Sequence, residues 1–153
     1  MHSSPTRIFQ RGRTVQRGFS LIELLIVVAI IGIVASIAVP HFLNSRQSAH
    51  NASALSSLRL IHTAEISYRM RNPQYGDLAA LHTANALDDP LLAAGTRSNY
   101  TFDIKAATLS SSFYEVTATP ASAPWQYYYL DVSGVIRSAS GSPADAASPP
   151  VSY

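Results

Sequence analysis

Cysteine is absent from the 153 residues, which excludes disulfides and thiolate metal sites together. Any part of the chain that folds must be held by core packing alone. Also missing are the short arrangements that carry catalysis or nucleotide binding. There is no G-x-S-x-G, no phosphate-cradling glycine loop and no H-E-x-x-H. With no catalytic constellation in view, neither an enzyme nor a cofactor is expected. Clustered basic residues are lacking outside the N-terminal region. Of eleven basic side chains, Arg7, Arg11, Arg13 and Arg17 precede Glu23, which leaves seven basic against nine acidic and a body of about −2. Nucleic acid calls for a concentrated basic patch, so it is not an expected partner. The last absence is of charge itself: from Leu24 to Ser45 there is no Asp, Glu, Lys or Arg.

What fills that gap is apolar. Leu24 to Val39 is hydrophobic apart from Gly32 and Ser36. At a rise of about 1.5 Å per residue, a helix over the roughly twenty residues from Phe19 to Val39 is about 30 Å long, the thickness of a bilayer core. Four arginines ahead of it, with no accompanying acid, follow the positive-inside rule. The N-terminus is therefore expected in the cytoplasm and everything after Val39 on the far side of the membrane. Glu23 is the anomaly. A carboxylate inside an apolar helix costs about 2.5–3.5 kcal/mol near the centre and less near the edge, so it marks function and requires a compensating partner. Gly32 and Pro40 mark where the helix is expected to bend or loosen, Pro40 because it removes a backbone donor. Gly32 equally suits close approach of another helix.

Residues 1–18, MHSSPTRIFQRGRTVQRG, are polar, basic and without apolar periodicity. They read as a disordered cytoplasmic tail or as a leader that is removed. An ordinary secretory signal has a short apolar region followed by a small-residue cleavage site; here the apolar region is too long and no A-x-A follows it. The run G-F-S-L-I-E, Gly18 to Glu23, with the apolar block and Pro40 behind it, resembles the N-terminus of type IV pilins and type II secretion pseudopilins. The resemblance implies cleavage after Gly18 by a membrane-embedded aspartyl prepilin peptidase. It also implies N-methylation of Phe19, the new first residue. Glu23, one helical turn from Phe19 and on the same face, can pair with an amine at that depth. By resemblance that amine belongs to Phe19 of a neighbouring subunit, so the pair sets the axial register of a filament, and Pro40 is the helix-bending proline. The leader of eighteen residues is longer than the handful usual for type IVa pilins.

From His41 to Arg71 the chain is expected to stay helical but become amphipathic. Ala54, Leu55, Leu58, Ile61 and Tyr68 recur at three- and four-residue intervals, with Arg46, Asn51, Arg59 and Arg69 between them. Asn72-Pro73 should end it. His41, His50 and His62 include no i, i+4 pair, so solvated positions are expected rather than a zinc site. In the connection, Asp77 caps a turn through Leu78, Leu81 and Leu87, whose leucines read as core. Asp89-Pro90 starts a second short helix that Gly95 stops. The period then changes to two in Asn99–Ala106, Ser112–Thr119 and Gln126–Val132, and Ser133-Gly134 turns the chain into Val135-Ile136-Arg137. Pro120 and Pro124 belong to the loop before Trp125. An antiparallel meander on the long helix follows. Tyr127, Tyr128 and Tyr129 read as structural, with at least one in the core. The run Y-x-x-D-x-S-G-V-I-R from Tyr128 to Arg137 resembles, more weakly, the last hairpin of cysteine-free pilins and major pseudopilins. Asp131, Ser133 and Asp145 fall short of the six to eight oxygens that calcium takes.

The expected architecture is α+β, the type IV pilin fold. It comprises a leader (1–18), a transmembrane and assembly helix (19–40), an amphipathic half (41–72), a connecting loop (73–97), a sheet (98–138) and a flexible tail (139–153). The expected function is that of a structural subunit of a type IV pilus, with a type II secretion pseudopilin or a minor pilin as alternatives. From another class, an uncut membrane-anchored binding domain is the rival. Expected partners are copies of the chain in a homo-oligomeric filament, the prepilin peptidase, inner-membrane assembly machinery and, before assembly, membrane lipid. The expected location is the inner membrane first, then a periplasmic or surface filament.

Overall fold

The computed structural model describes residues 18–122 and 125–152. Arg7, Arg11, Arg13, Arg17, Pro124 and Tyr153 lie outside the described residues. The chain forms two compact units, Met1–Pro40 and His41–Tyr153, and helix α1 (Leu21–Arg69) contributes to both.

In the first unit no described residue is buried. Phe19 is 92% exposed, and Leu21, Ile22, Ile30, Ile33 and Ile37 are each more than half exposed. This stretch is long and apolar enough to cross a membrane. A helix that is apolar on every side has no polar face to turn toward water, so its cover must come from lipid or from other chains.

In the second unit the helix becomes two-sided. Ala54, Ser57, Leu58, Ile61, Ala64 and Glu65 are buried at helical spacing, while Arg59, Leu60, Thr63, Ile66 and Met70 face outward. The helix stops at Arg69, slightly before the expected Asn72-Pro73. Asn72 turns its side-chain amide back onto the Tyr68 carbonyl (2.9 Å), and the Arg71 N–H donates to that same oxygen (3.0 Å) in a tightened last turn.

Two short helices follow, α2 (Leu78–Thr83) and α3 (Pro90–Ala93). Asp77 caps α2 by accepting from the Ala80 N–H at 2.7 Å, and Asp89 caps α3 by accepting from Leu91 and Leu92 at 3.0 and 3.1 Å. Leu78, Leu81 and Leu87 are buried, core as expected, and Leu92 joins them, while Leu91 is exposed.

Five antiparallel strands lie in chain order: β1 (Thr96–Arg97), β2 (Tyr100–Ile104), β3 (Glu115–Pro120), β4 (Gln126–Asp131) and β5 (Arg137–Ser140). β2 buries Tyr100, Phe102 and Ile104 and exposes Thr101 and Asp103, the alternation of a one-faced strand. Phe102 lies opposite Ala118, and Val116 opposite Leu130. These side chains meet Ala54, Leu58 and Ile61 of α1 in one core. The second unit is thus a helix on a small antiparallel sheet, the α+β, pilin-like arrangement.

The structure differs from expectation at the C-terminal end. The last strand is Arg137–Ser140, not Val135–Arg137, because Tyr129 pairs with Arg137 and Gln126 with Ser140. The Ser133-Gly134 turn is tied back to Asp131, whose carbonyl accepts from Gly134 N–H (3.0 Å) and whose Oδ1 accepts from Ser133 N–H (2.8 Å). Ile136 then drops into the core before pairing begins. The stretch expected as a flexible tail is held in place. Ser138 N–H donates to the Pro149 carbonyl (3.0 Å), Val151 N–H to the Ile136 carbonyl (2.9 Å), and Ala144 is buried. Its serines and prolines are too polar for a hydrophobic signal, yet they satisfy the open edge of β5 with backbone bonds. β1 also lay unseen in the connection, being only two residues long.

Candidate assembly site

The residues singled out by the sequence, Gly18, Phe19, Glu23 and Pro40, all fall in the first unit. The Ser20 carbonyl accepts from Leu24 N–H (3.3 Å), which makes Ser20 the N-cap of α1 and Glu23 the third residue of its first turn. The Glu23 carboxylate reaches back to accept the Ser20 N–H at 2.9 Å. That is the glutamate half of a capping box, S-x-x-E, and it satisfies one of the donors a helix start leaves open. Negative charge in the first turn also complements the helix dipole. So the acid has a local role in addition to any intermolecular one.

The peptide whose N–H is capped joins Phe19 to Ser20, the first peptide bond after the Gly18–Phe19 junction. Glu23 therefore holds the turn that carries Phe19, whose side chain is almost wholly free. Pro40 lies seventeen residues further along and makes no contact with this turn. It sits inside the helix, where its ring denies the Ser36 carbonyl an i, i+4 partner. The Ser36 hydroxyl in turn donates to the Ile33 carbonyl at 2.7 Å. A Cβ added at Gly32 meets no atom within 4 Å, so its lack of a side chain answers no need inside one chain. Chemically, the first unit can do two things: sit in an apolar medium, and present one carboxylate at the start of its helix.

Comparison with known proteins bears on this segment. Residues 13–39 match the family described as the prokaryotic N-terminal methylation motif. The chain carries a prepilin-type N-terminus. It is 44% identical over 63 residues to the type IV major pilin protein PilA of Myxococcus xanthus, covering 41% of this chain and 29% of that protein. Identity to the type II secretion system core protein G of Escherichia coli is 35% over 60 residues, 39% of this chain and 41% of that protein. A longer match, 36% over 86 residues, is to the type IV major fimbrial protein FimA of Dichelobacter nodosus, 56% of this chain and 55% of that one. The matches thus span between about a third and just over half of these relatives' lengths. No solved structure matches the chain.

Outside the prepilin-type segment, His41 is exposed as expected, while His50 and His62 depart from the solvated positions expected. His50 stacks on Trp125 with ring centroids 5.0 Å apart. His62 is half-buried and hydrogen-bonds through Nδ1 to the hydroxyl of buried Tyr114. Burial holds the His62 pKa below its ordinary value, against an opposing pull from Asp131. Asp131 and Asp145 spend their carboxylates on turn N–H groups, and no group of metal ligands occurs among the described residues. Tyr128 and Tyr129 are both buried, so the tyrosine run is structural. Tyr129 donates its hydroxyl to Glu115 (3.1 Å), and its pKa is pushed up to about 12, chiefly by burial. One residue went unseen in the sequence: Glu65, wholly buried. The signal was available, because Glu65 falls four residues after Ile61 on the apolar stripe.

Proposed function

We propose that the chain is a structural subunit of a type IV pilus, cut between Gly18 and Phe19, N-methylated at Phe19 and drawn from the inner membrane into a helical filament. The observation that carries this reading is a fully uncovered apolar helix with a single carboxylate held at its start. Hydrolysis of the Gly18–Phe19 bond creates an ammonium on Phe19, and a methyl group added there leaves it basic. Buried charges of opposite sign favour meeting, since each is costly alone in lipid. The carboxylate of Glu23 and the amine of an adjoining copy fit that exchange, while the apolar faces replace lipid contacts with helix contacts. Similarity to proteins named as a type IV major pilin and a type IV major fimbrial protein supports the same reading, in which prepilin peptidase and inner-membrane machinery are the partners.

Two experiments test it. Mass spectrometry of the protein from its native cell should find N-methyl-Phe19 as the first residue; a chain still starting at Met1 overturns the proposal in favour of a plain membrane anchor. Glu23→Gln keeps an acceptor for the Ser20 N–H but loses the charge. It should be processed normally yet yield at least tenfold fewer sheared filaments, as should Glu23→Ala. Filaments at wild-type yield from Glu23→Gln would leave only the cap as the role of this residue.

A second reading, a type II secretion pseudopilin, is favoured by the 35% identity to core protein G. Electron microscopy separates the two, with long surface filaments containing this chain in the first case and a periplasmic assembly in the second.

A further inference from the structure

Glu65 is fully buried near the end of α1 and makes no ion pair among the described residues. Its Oε2 accepts the N–H of Gly76 at 3.0 Å, and its Oε1, also out of reach of water, has no hydrogen-bond partner among the described residues. The bond joins the helix directly to the segment Asn72–Asp77, across an eleven-residue separation. Gly76 is itself buried, pressed so closely on Tyr68 that an added Cβ would stand 3.0 Å from that ring.

The groups around the carboxyl offer it little compensation. On α1, His62 lies one turn earlier and is engaged by the Tyr114 hydroxyl. Arg69, one turn later, spends its guanidinium on the carbonyls of Ser111 (2.9 Å) and Asn72 (3.0 Å). From the connection come Tyr75, its ring tilted against that of Tyr114 with centroids 4.7 Å apart, and the Asp77 carboxylate, which repels a charge on Glu65. From the sheet side Tyr114 packs in, its own ionisation opposed by burial, by Glu65 and more distantly by Asp131. Burial is the larger influence on Glu65 and the Asp77 charge adds to it, against the pull of the Gly76 N–H, and the pKa rises to about 7.

We propose that Glu65 is a proton-operated latch: protonated, it ties the segment Asn72–Asp77 to the helix, and ionised, it strands a charged oxygen in the core and lets that segment open. The latch belongs to the second unit and does not depend on how the chain assembles.

The sign follows from the shift. With the closed-state pKa raised from 4.5 to about 7, the closed form binds more protons than the open one between those limits. Closure is therefore strongest at low pH, weakens through that interval and stays weak above it. His62 acts oppositely, since its lowered pKa makes charging below 6.5 unfavourable to the closed form. The latch is tightest in mildly acid solution.

Hydrogen exchange of the full chain in detergent micelles, corrected for the intrinsic pH dependence of exchange, tests this. Protection of a peptide spanning residues 72–77 should fall several-fold from pH 6 to pH 8, up to the roughly tenfold that one proton linked across these pKa values allows, less what His62 takes back near pH 6. A β3 peptide should change less than twofold, and Glu65→Gln should abolish the fall in the first peptide. A flat wild-type profile, or β3 opening in parallel, overturns the latch; so does a Glu65→Gln profile matching wild type. Should Glu65→Gln fail to fold, isotope-edited infrared titration of Glu65 in the wild type decides. Its protonated C=O band must disappear with the midpoint of the lost protection, and a midpoint below 5 overturns the proposal.

Discussion

At Gly134 two constraints meet. Its φ is +76°, and a Cβ built there would stand 2.9 Å from His62 Nε2. Side chains other than glycine adopt this backbone region at a cost, and the approach to the histidine ring adds to it. Gly134→Ala should lower the stability of the second unit by about 1–3 kcal/mol. Denaturant melts of the full chain in micelles, followed by near-ultraviolet circular dichroism, would measure this; no loss would mean the turn does not close on α1. Tyr100 shows the same economy with polar atoms. Its buried ring carries a hydroxyl 2.8 Å from the Gln126 carbonyl and 2.9 Å from Asn51 Oδ1, so a large aromatic enters the core without orphaning its oxygen.

The element most dependent on its surroundings is β5. Four residues long and at the sheet edge, it has Gln126–Tyr129 on one side and the returning chain on the other. Arg137 pairs with Pro150 in a bridge, and its guanidinium donates to the Ser148 carbonyl at 3.0 Å. A chain ending at Gly141 would open the Ser138 N–H, the Ile136 carbonyl and one donor of Arg137 to water. Such a truncation should melt several degrees lower, a loss of about 1–3 kcal/mol from bonds at a partly covered edge. An unchanged melting temperature would show that residues 142–152 add nothing to the edge. α1 by contrast draws packing in its second half from the core around Leu58, Ile61 and Ala64, while the apolar side chains of its first half are left uncovered by the described residues.

The whole molecule divides by solvent. Every residue of the hydrophobic core lies at or beyond Ala54, while the uncovered apolar residues concentrate between Phe19 and Leu43. A chain beginning at His41 should therefore fold, stay monomeric and dissolve without detergent, with the near-ultraviolet signature of the intact protein. Light scattering after size exclusion checks this, and aggregation of the shortened chain would mean that the first unit stabilises the second. The full chain should need detergent or lipid, or a filament of its own copies.

Much of this was legible because local chemistry repeats at short intervals. An uninterrupted apolar run announces a helix that needs lipid, Asp77 and Asp89-Pro90 announce caps, and period-two stretches announce β2, β3 and β4. The acid at Glu23 stood out because nothing charged follows it for twenty-two residues. What stayed hidden involves partners distant in sequence. β5 and the returning chain are serine- and proline-rich, and their order comes from backbone bonds that any sequence can make. His62 looked solvated until Tyr114, fifty-two residues later, was brought to it. Glu65 falls on the apolar stripe four residues after Ile61, which places it on the inner face, but the bond that holds its carboxylate comes from Gly76, eleven residues on. The sequence by itself determined the helix, its apolar half and the acid at its start, since these depend on spacing along one element. Only the tertiary structure decided which polar groups lost water, because burial is a property of what packs around a residue and not of the residue.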